Sequence, residues 1–301
     1  MLILHDWLWV IFTLSAALAQ TLRNATQRSL IAELGAAAAA HVRFLFGLPF
    51  GLLFLVVVLL LTGATPPRPS PTALAWMLSG SLMQILGTAL MLAAMTERSF
   101  VVTIAYTKTE PVQVAVFGIV MLSETLTLPL IAAILIATSG VMIMGWPARQ
   151  IAGAPHRLKP ALLGMAAGGF FAMAAISFRG AILALQHDDY VLAAITTLAI
   201  GLVMQTAMLT IWLALRDRAA LREIVAAWRP SLGAGFLGAV ASAFWYLAFA
   251  LESAARVRTL ALAEILFAQI ISRNMFRQKT SPRDAIGIAL VVIGVIVLLN
   301  V

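Results

Sequence analysis

The chain contains no cysteine, which removes disulfides, thiolate nucleophiles and cysteine-ligated metals from consideration. Charge is scarce too: 11% of the 301 residues are Asp, Glu, Lys or Arg, against 62% hydrophobic residues and a mean hydropathy of +1.01. So few charges cannot cover the surface of a soluble domain of this size, and an integral membrane protein is expected. Strand-length alternation of polar and apolar residues is also missing. That argues against a transmembrane barrel and leaves helices as the way to satisfy every backbone group inside a bilayer. Signatures of common catalysts do not occur: there is no H-E-x-x-H, no G-x-S-x-G, no glycine-rich phosphate loop with Lys, and no Cys/His cluster. The stretch QHDDYV at 186–191 suits a short solvated loop with Asp188 and Asp189 at a helix start better than a metal site. No enzyme activity, metal or cofactor is therefore expected. Concentrative transport by such a chain would draw on an ion or substrate gradient.

What is abundant is long apolar runs. A hydrocarbon core about 30 Å thick needs roughly 20 apolar residues per helical span. Ten runs meet that need, at 7–30, 34–61, 73–95, 99–121, 127–146, 160–185, 190–215, 231–252, 256–276 and 282–300. The first lacks a basic start and is too long for a signal-peptide core, so it is expected to be retained. The net charge of +8 reflects topology rather than nucleic acid, because the basic residues lie mostly in loops. Arg149, Arg157, Lys159, Arg216, Arg218, Arg222, Arg229, Arg277, Lys279 and Arg283 follow spans 5, 7 and 9, whereas Arg68, Arg256 and Arg258 lie on the opposite side. Ten against three places the former loops in the cytoplasm of a bacterial-type inner membrane and both termini outside.

The halves of the sequence echo one another. A shift of 154 residues lays Glu110 on Glu264, Met121 on Met275 and Gly140 on Gly294; a shift of 155 lays Gly80 on Gly235 and Glu97 on Glu252; a shift of 156 lays Arg23 on Arg179. Residues 1–150 and 151–301 thus read as two copies of five spans. An odd number of spans per copy inverts the second relative to the first, as in many secondary transporters. HVRFLFGLPF at 41–50, with its arginine followed by apolar residues, and TEPVQVAVFGIVMLSETLTLPLIAAILIATSGVMIM at 109–144, with its proline, its Ser123–Thr127 turn and Gly140, resemble the EamA domain of the drug/metabolite transporter superfamily. The second copy is similar in SRNMFRQKTSPRDAIGIALVVIGVIVLL, although Gln278 stands where the turn glutamate is expected. The resemblance implies ten helices in two inverted five-helix repeats around a central cavity lined by spans 1–4 and 6–9, with spans 5 and 10 peripheral. It also implies cytoplasmic termini, the reverse of the charge count.

Several polar residues fall within the runs. Gln20, Arg23, Asn24 and Gln27 sit at i, i+3, i+4 and i+7, one stripe of a helix. Burying arginine toward hydrocarbon costs a few kcal/mol or more, so such a stripe faces helices or water, unless Arg23 and Arg28 snorkel to headgroups. Span 4 carries Thr103, Tyr106, Thr107, Glu110 and Gln113, and Pro111 next to Glu110 removes a backbone donor. Glu110 and its counterpart Glu264 are mid-span carboxylates that need a proton or a cation. Arg23 and Arg179 are the expected partners, with Arg43 a further cation beside His41. Lys108 points away from Glu110 on an unbroken helix. Gln84 lies in a stripe of small residues on span 3, and Trp245 and Tyr246 sit mid-span in span 8, where they suit either core packing or an aromatic wall around an organic substrate. Ala133, Ala137 and Gly140 in span 5 read as packing residues, and small-residue stripes on spans 5 and 10 also permit dimers.

The expected function is secondary active transport, with export as the expected direction, of a small polar organic metabolite such as an amino acid or other zwitterion or anion. Basic residues outnumber acidic ones at the expected site, which consists of Gln20, Arg23, Asn24, Arg43, Gln84, Tyr106, Glu110, Arg179, Trp245, Tyr246 and Glu264. The expected partners are this substrate, the lipid bilayer and a coupling proton, with the chain acting as monomer or homodimer. Two other classes are compatible with the residues: a flippase or scramblase of lipid-linked substrates, and a membrane scaffold or sensor.

Overall fold

The computed structural model describes residues 2–97, 106–145, 158–267 and 281–301. Among these residues the secondary structure is helical, without strands. In chain order the helices are α1 (Leu2–Leu45), α2 (Leu48–Thr62), α3 (Pro71–Glu97), α4 (Glu110–Leu122), α5 (Leu128–Gly145), α6 (Leu158–Ala184), α7 (Tyr190–Arg216), α8 (Arg218–Ala226), α9 (Trp228–Leu251), α10 (Ala254–Leu260) followed by a 3₁₀ turn at Ala261–Ala263, and α11 (Pro282–Leu299).

Among the described residues, six stretches are long and apolar enough to cross a bilayer: Ala38–Thr62, Pro71–Met91, Ala161–Ala184, Tyr190–Arg216, Trp228–Leu251 and Pro282–Leu299. Glu110–Leu122 and Leu128–Met144 are shorter apolar helices. Among the described residues three departures from the expected span boundaries occur, two of them with a local cause. The expected boundary near residues 31–33 is absent, because α1 runs through it. The Ala36–Ala40 run that follows is a strong helix former, and no proline intervenes. The interruption comes instead at Phe46–Gly47, where the ring of Pro49 conflicts with a helical carbonyl at Leu45. Span 4 is interrupted at Lys108–Thr109, directly before Pro111. Span 9 tightens into the 3₁₀ turn before Glu264, and no proline or glycine there accounts for it. The starts and ends of spans 4 and 9 at 98–105 and 268–280 lie outside the described residues, as do most of the charges counted at 149–159 and 277–279.

Short caps set the remaining boundaries. Ser123 takes a left-handed φ of 53°, and the Glu124 N–H behind it returns to the Gly118 carbonyl at 3.1 Å. Thr127 Oγ1 then accepts from the Leu130 N–H at 3.4 Å, so the Ser123–Thr127 turn is a helix stop followed at once by a start. Asp189 accepts from the Val191 and Leu192 N–H groups, and His187 Nδ1 accepts from the Asp189 N–H at 3.1 Å. The acidic loop at 186–191 is thus a helix cap.

The chain folds as two compact units, each drawing on both halves of the sequence: Met1–Ile85 with Ser177–Glu252, and Leu86–Ile176 with Ser253–Val301. In the first unit α9 packs along α1 through small residues: a Cβ at Gly235 would strike the Phe46 backbone at 2.5 Å. In the second, α5 packs on α11. A Cβ at Gly140 would lie 2.6 Å from the Gly287 carbonyl oxygen, and one at Gly294 would lie 2.7 Å from Ala137 Cβ. Glycine is needed at these positions for close backbone approach. The small-residue stripes of spans 5 and 10, expected to permit dimers, are consumed by each other within the chain.

Candidate functional site

The first unit gathers most of the polar residues expected at a site, and hydrogen bonds to neutral groups tie several of its helices together. Trp245 Nε1 donates to Gln20 Oε1 at 3.3 Å, linking α9 to α1. Gln205 Nε2 donates to Gln84 Oε1 at 2.5 Å, linking α7 to α3. Ser79 and Ser177 hydroxyls lie 3.0 Å apart, and Ser81 donates to the Gly201 carbonyl at 3.4 Å. Tyr246 packs on Phe178 with ring centroids 4.7 Å apart. Trp245 and Tyr246 are each 4% exposed, which makes them core aromatics of this unit.

The arginines are placed by the same helices. Arg23 is buried and its Nη2 donates to Asn24 Oδ1 at 2.8 Å. Gly238 of α9 lies under the aliphatic stems of both Arg23 and Arg43; a Cβ there would meet Arg43 Cγ at 3.4 Å and Arg23 Cδ at 3.6 Å. These two expected cations are therefore neighbours. The side chains of Gln27 and Arg28 lie outside the described residues. Arg179 Nη1 donates to the carbonyls of Phe249 and Glu252. That is a cap on the C-terminal end of α9, where a cation meets exposed carbonyls and the negative end of the helix dipole. His41, fully buried, has Nε2 3.0 Å from Thr210 Oγ1.

The second unit satisfies its carboxylates with charge. Lys108 Nζ donates to Glu264 Oε2 at 2.8 Å, and Arg258 Nε lies 3.0 Å from Glu110 Oε1. All four side chains are 13–21% exposed. Glu110 and Glu264 correspond under the 154-residue shift, and each pairs with a cation from the interrupted helix that carries the other. The arrangement is a pair of crossed ion pairs between two broken helices.

The helix breaks make these pairs possible. The interruption at Lys108–Thr109 turns Lys108 out of the position it would hold on a continuous helix. Pro111 cannot donate to the Thr107 carbonyl, which lies against Gly168 of α6: a Cβ there would be 2.8 Å from this oxygen. Gln113 Nε2 donates to Thr109 Oγ1 at 3.0 Å and to the Met165 carbonyl at 3.2 Å, fastening the segment after the break. Tyr106 is half-buried in the short helical piece before it. In span 9, Ser253 Oγ accepts from the Arg256 N–H at 3.3 Å and starts α10, which carries Arg258.

The salt bridges of Glu110 and Glu264 bring in two cations that the sequence did not assign to them, Arg258 and Lys108. Lys108 reaches Glu264 because the helix is interrupted beside Pro111, so the direction it would take on an unbroken helix does not hold. Arg258, close to the expected start of span 9, belongs to the same cluster and drops out of the orientation count. Sequence reasoning also passed over Gln205. The one signal for it was a lone amide in an otherwise apolar span.

The family model of EamA-like transporters matches residues 7–146 and matches again at 158–300. The chain belongs to the EamA-like transporter family. This EamA-like chain is accordingly a multi-pass membrane protein of a transporter family, with two family repeats covering nearly its whole length. Its compact units each take part of both matched copies, as the ranges above show. Among solved structures, 27 chains match. One, described only as the crystal structure of a protein, aligns with a TM-score of 0.72 and 14% identity over 96% of this chain and 95% of the other, a likeness of fold. Comparison with curated protein sequences gives no significant match.

Proposed function

We propose that this EamA-like protein is a secondary active exporter of a small polar organic metabolite, working by alternating access in the inner membrane. The observation that supports this most is the crossed arrangement of Glu110–Arg258 and Lys108–Glu264 on two repeat-equivalent interrupted helices. Interrupted helices at corresponding places in two repeats are where transporters of this general design hold their substrates. On this reading ten spans form two inverted repeats, 1–150 and 151–301, around a central cavity. Gln20, Gln84, Trp245 and Tyr246 pack the helices of the first unit together, and Arg179 holds the end of α9.

The cluster is electrically balanced, with two cations and two carboxylates. A zwitterion such as an amino acid exchanges for one pair without a net change of charge: its carboxylate takes Lys108 or Arg258, and its ammonium takes the released glutamate. A substrate of a single sign leaves one protein charge uncompensated; for an anion, a proton entering with it on Glu110 or Glu264 restores the balance. Substrate then shifts the helix arrangement by as much as its affinities for the two arrangements differ.

The test is a thermal-shift screen of the purified full chain against amino acids, amines, nucleosides and sugar phosphates, repeated with Glu110→Gln and Glu264→Gln. A ligand that binds the folded state at about 100 times its Kd stabilises by about 2.7 kcal/mol. Shifts from amino acids that vanish in either variant support the reading, and shifts that survive both variants contradict it. Orientation is tested in the same chain. Because it has no cysteine, a single Glu223→Cys in the loop helix reports its side with an impermeant maleimide. Labelling from the cytoplasm only is the outcome expected for termini on the outside.

A further inference from the structure

Between the candidate spans Tyr190–Arg216 and Trp228–Leu251 the chain forms the short helix α8, Arg218–Ala226. At about 1.5 Å rise per residue, nine residues cover less than half of a hydrocarbon core of about 30 Å, so α8 stays at the boundary where the flanking spans end. Asp217 caps it by accepting from the Ala220 N–H at 3.1 Å. One face is anchored: Ala220 and Ile224 are buried with Ala38, Val42, Leu213 and Ala234. The other face carries the exposed Arg218, Arg222, Glu223 and Val225, with exposed Arg216 and Arg229 at its two ends.

Two kinds of chemistry meet on this surface. Four arginines stand against two acids, Asp217 and Glu223, and Asp217 is engaged as the cap. Among the described residues no ion pair engages any of the four arginines. Beside them lie large exposed apolar side chains: Leu215 is 77% exposed, Trp212 49%, Trp228 47% and Val225 63%. The Arg229 guanidinium sits over the Trp228 ring, 5.4 Å from its centroid, a stacking contact that a planar guanidinium makes readily. Arg218 Nε bonds the Ala214 carbonyl at 2.9 Å and is held at the end of α7.

We infer that α8 and its flanks form a docking surface for anionic phospholipid, with Arg222 and Arg229 taking the headgroup phosphate and Trp228, Leu215 and Val225 seating against the acyl chains. The charge selects the headgroup, since a basic segment at a span end attracts anionic lipid by about 1 kcal/mol per arginine, or about fivefold in affinity. The apolar rim selects a lipid over a soluble anion, because indole and aliphatic groups at this depth belong at the junction of headgroup and hydrocarbon. The inference stands independently of what the protein transports.

The test is a titration of the purified full chain in neutral detergent with phosphatidylglycerol or phosphatidylcholine, with bound lipid counted by native mass spectrometry. Phosphatidylglycerol is expected to bind well above phosphatidylcholine. Arg222→Gln with Arg229→Gln is expected to weaken phosphatidylglycerol about 25-fold and to leave phosphatidylcholine unchanged, which also reports an intact fold. Arg222→Lys with Arg229→Lys keeps most of the preference. Equal affinity for the two lipids in the unaltered protein overturns the inference. So does wild-type phosphatidylglycerol affinity in the Gln pair, or displacement of the lipid by glycerol 3-phosphate at equal concentration.

Discussion

The two compact units solve the same problem in different ways. In Met1–Ile85 with Ser177–Glu252, hydrogen bonds to neutral groups tie helices together: Gln84 with Gln205, Gln20 with Trp245, and Arg179 with the carbonyls at the end of α9. In Leu86–Ile176 with Ser253–Val301, carboxylates are met by cations across two interrupted helices. A neutral hydrogen bond between continuous helices fixes their packing and offers a charged substrate little to exchange for. An ion pair offers both of its halves. The comparison assigns helix packing to the first set of contacts and substrate exchange to the second.

The largest effect is expected from breaking an ion pair on one side. Arg258→Ala leaves Glu110 without its cation and is expected to cost on the order of 3 kcal/mol, toward the low end for buried pairs because both side chains keep 13–14% exposure. Adding Glu110→Gln is expected to restore most of the melting temperature but not the ligand response. Next comes packing: Gly287→Leu forces apart backbones now in contact beside Gly140 and is expected to cost about 2 kcal/mol, with the ligand response retained. Arg179→Gln removes the cap on α9 and is expected to cost about 1 kcal/mol, again with ligand response intact. Smallest is Gln20→Leu, which takes the acceptor from Trp245 at 3.3 Å and is expected to cost about 0.5 kcal/mol. All four are read by thermal melting with and without a ligand found in the screen. Loss of the ligand response in Arg179→Gln or Gln20→Leu would erase the distinction between the units.

Much of the architecture is legible in the sequence because hydropathy and punctuation act locally. Spans expected at 73–95, 127–146, 160–185, 190–215, 231–252 and 282–300 have helices at Pro71–Glu97, Leu128–Gly145, Leu158–Ala184, Tyr190–Arg216, Trp228–Leu251 and Pro282–Leu299. The family model matches the sequence twice, at 7–146 and 158–300. What local signals miss is pairing. Glu110 and Glu264 stand out as membrane-depth carboxylates, but their partners depend on where a helix breaks. Pro111 gives warning of one break, and nothing in ALAE at 261–264 gives warning of the other. Arg258 reads as a charge at the start of span 9, and hydropathy cannot tell such an arginine from one folded onto a glutamate. Arg179, by contrast, has a strong repeat signal toward Arg23, yet it donates to the carbonyls of Phe249 and Glu252 as a helix cap does. An internal repeat marks equivalent positions, and the local backbone then decides what each one does.

The account rests on the claim that the crossed ion pairs are the exchangeable part of the molecule, and reversing one of them tests it most directly. Lys108→Glu combined with Glu264→Lys rebuilds the attraction with its polarity inverted. The account predicts that the double variant melts close to the unaltered protein while its ligand-induced shift, and its flux of that ligand in proteoliposomes, are lost. A double variant that keeps both the shift and the flux would contradict it, and would place the substrate elsewhere.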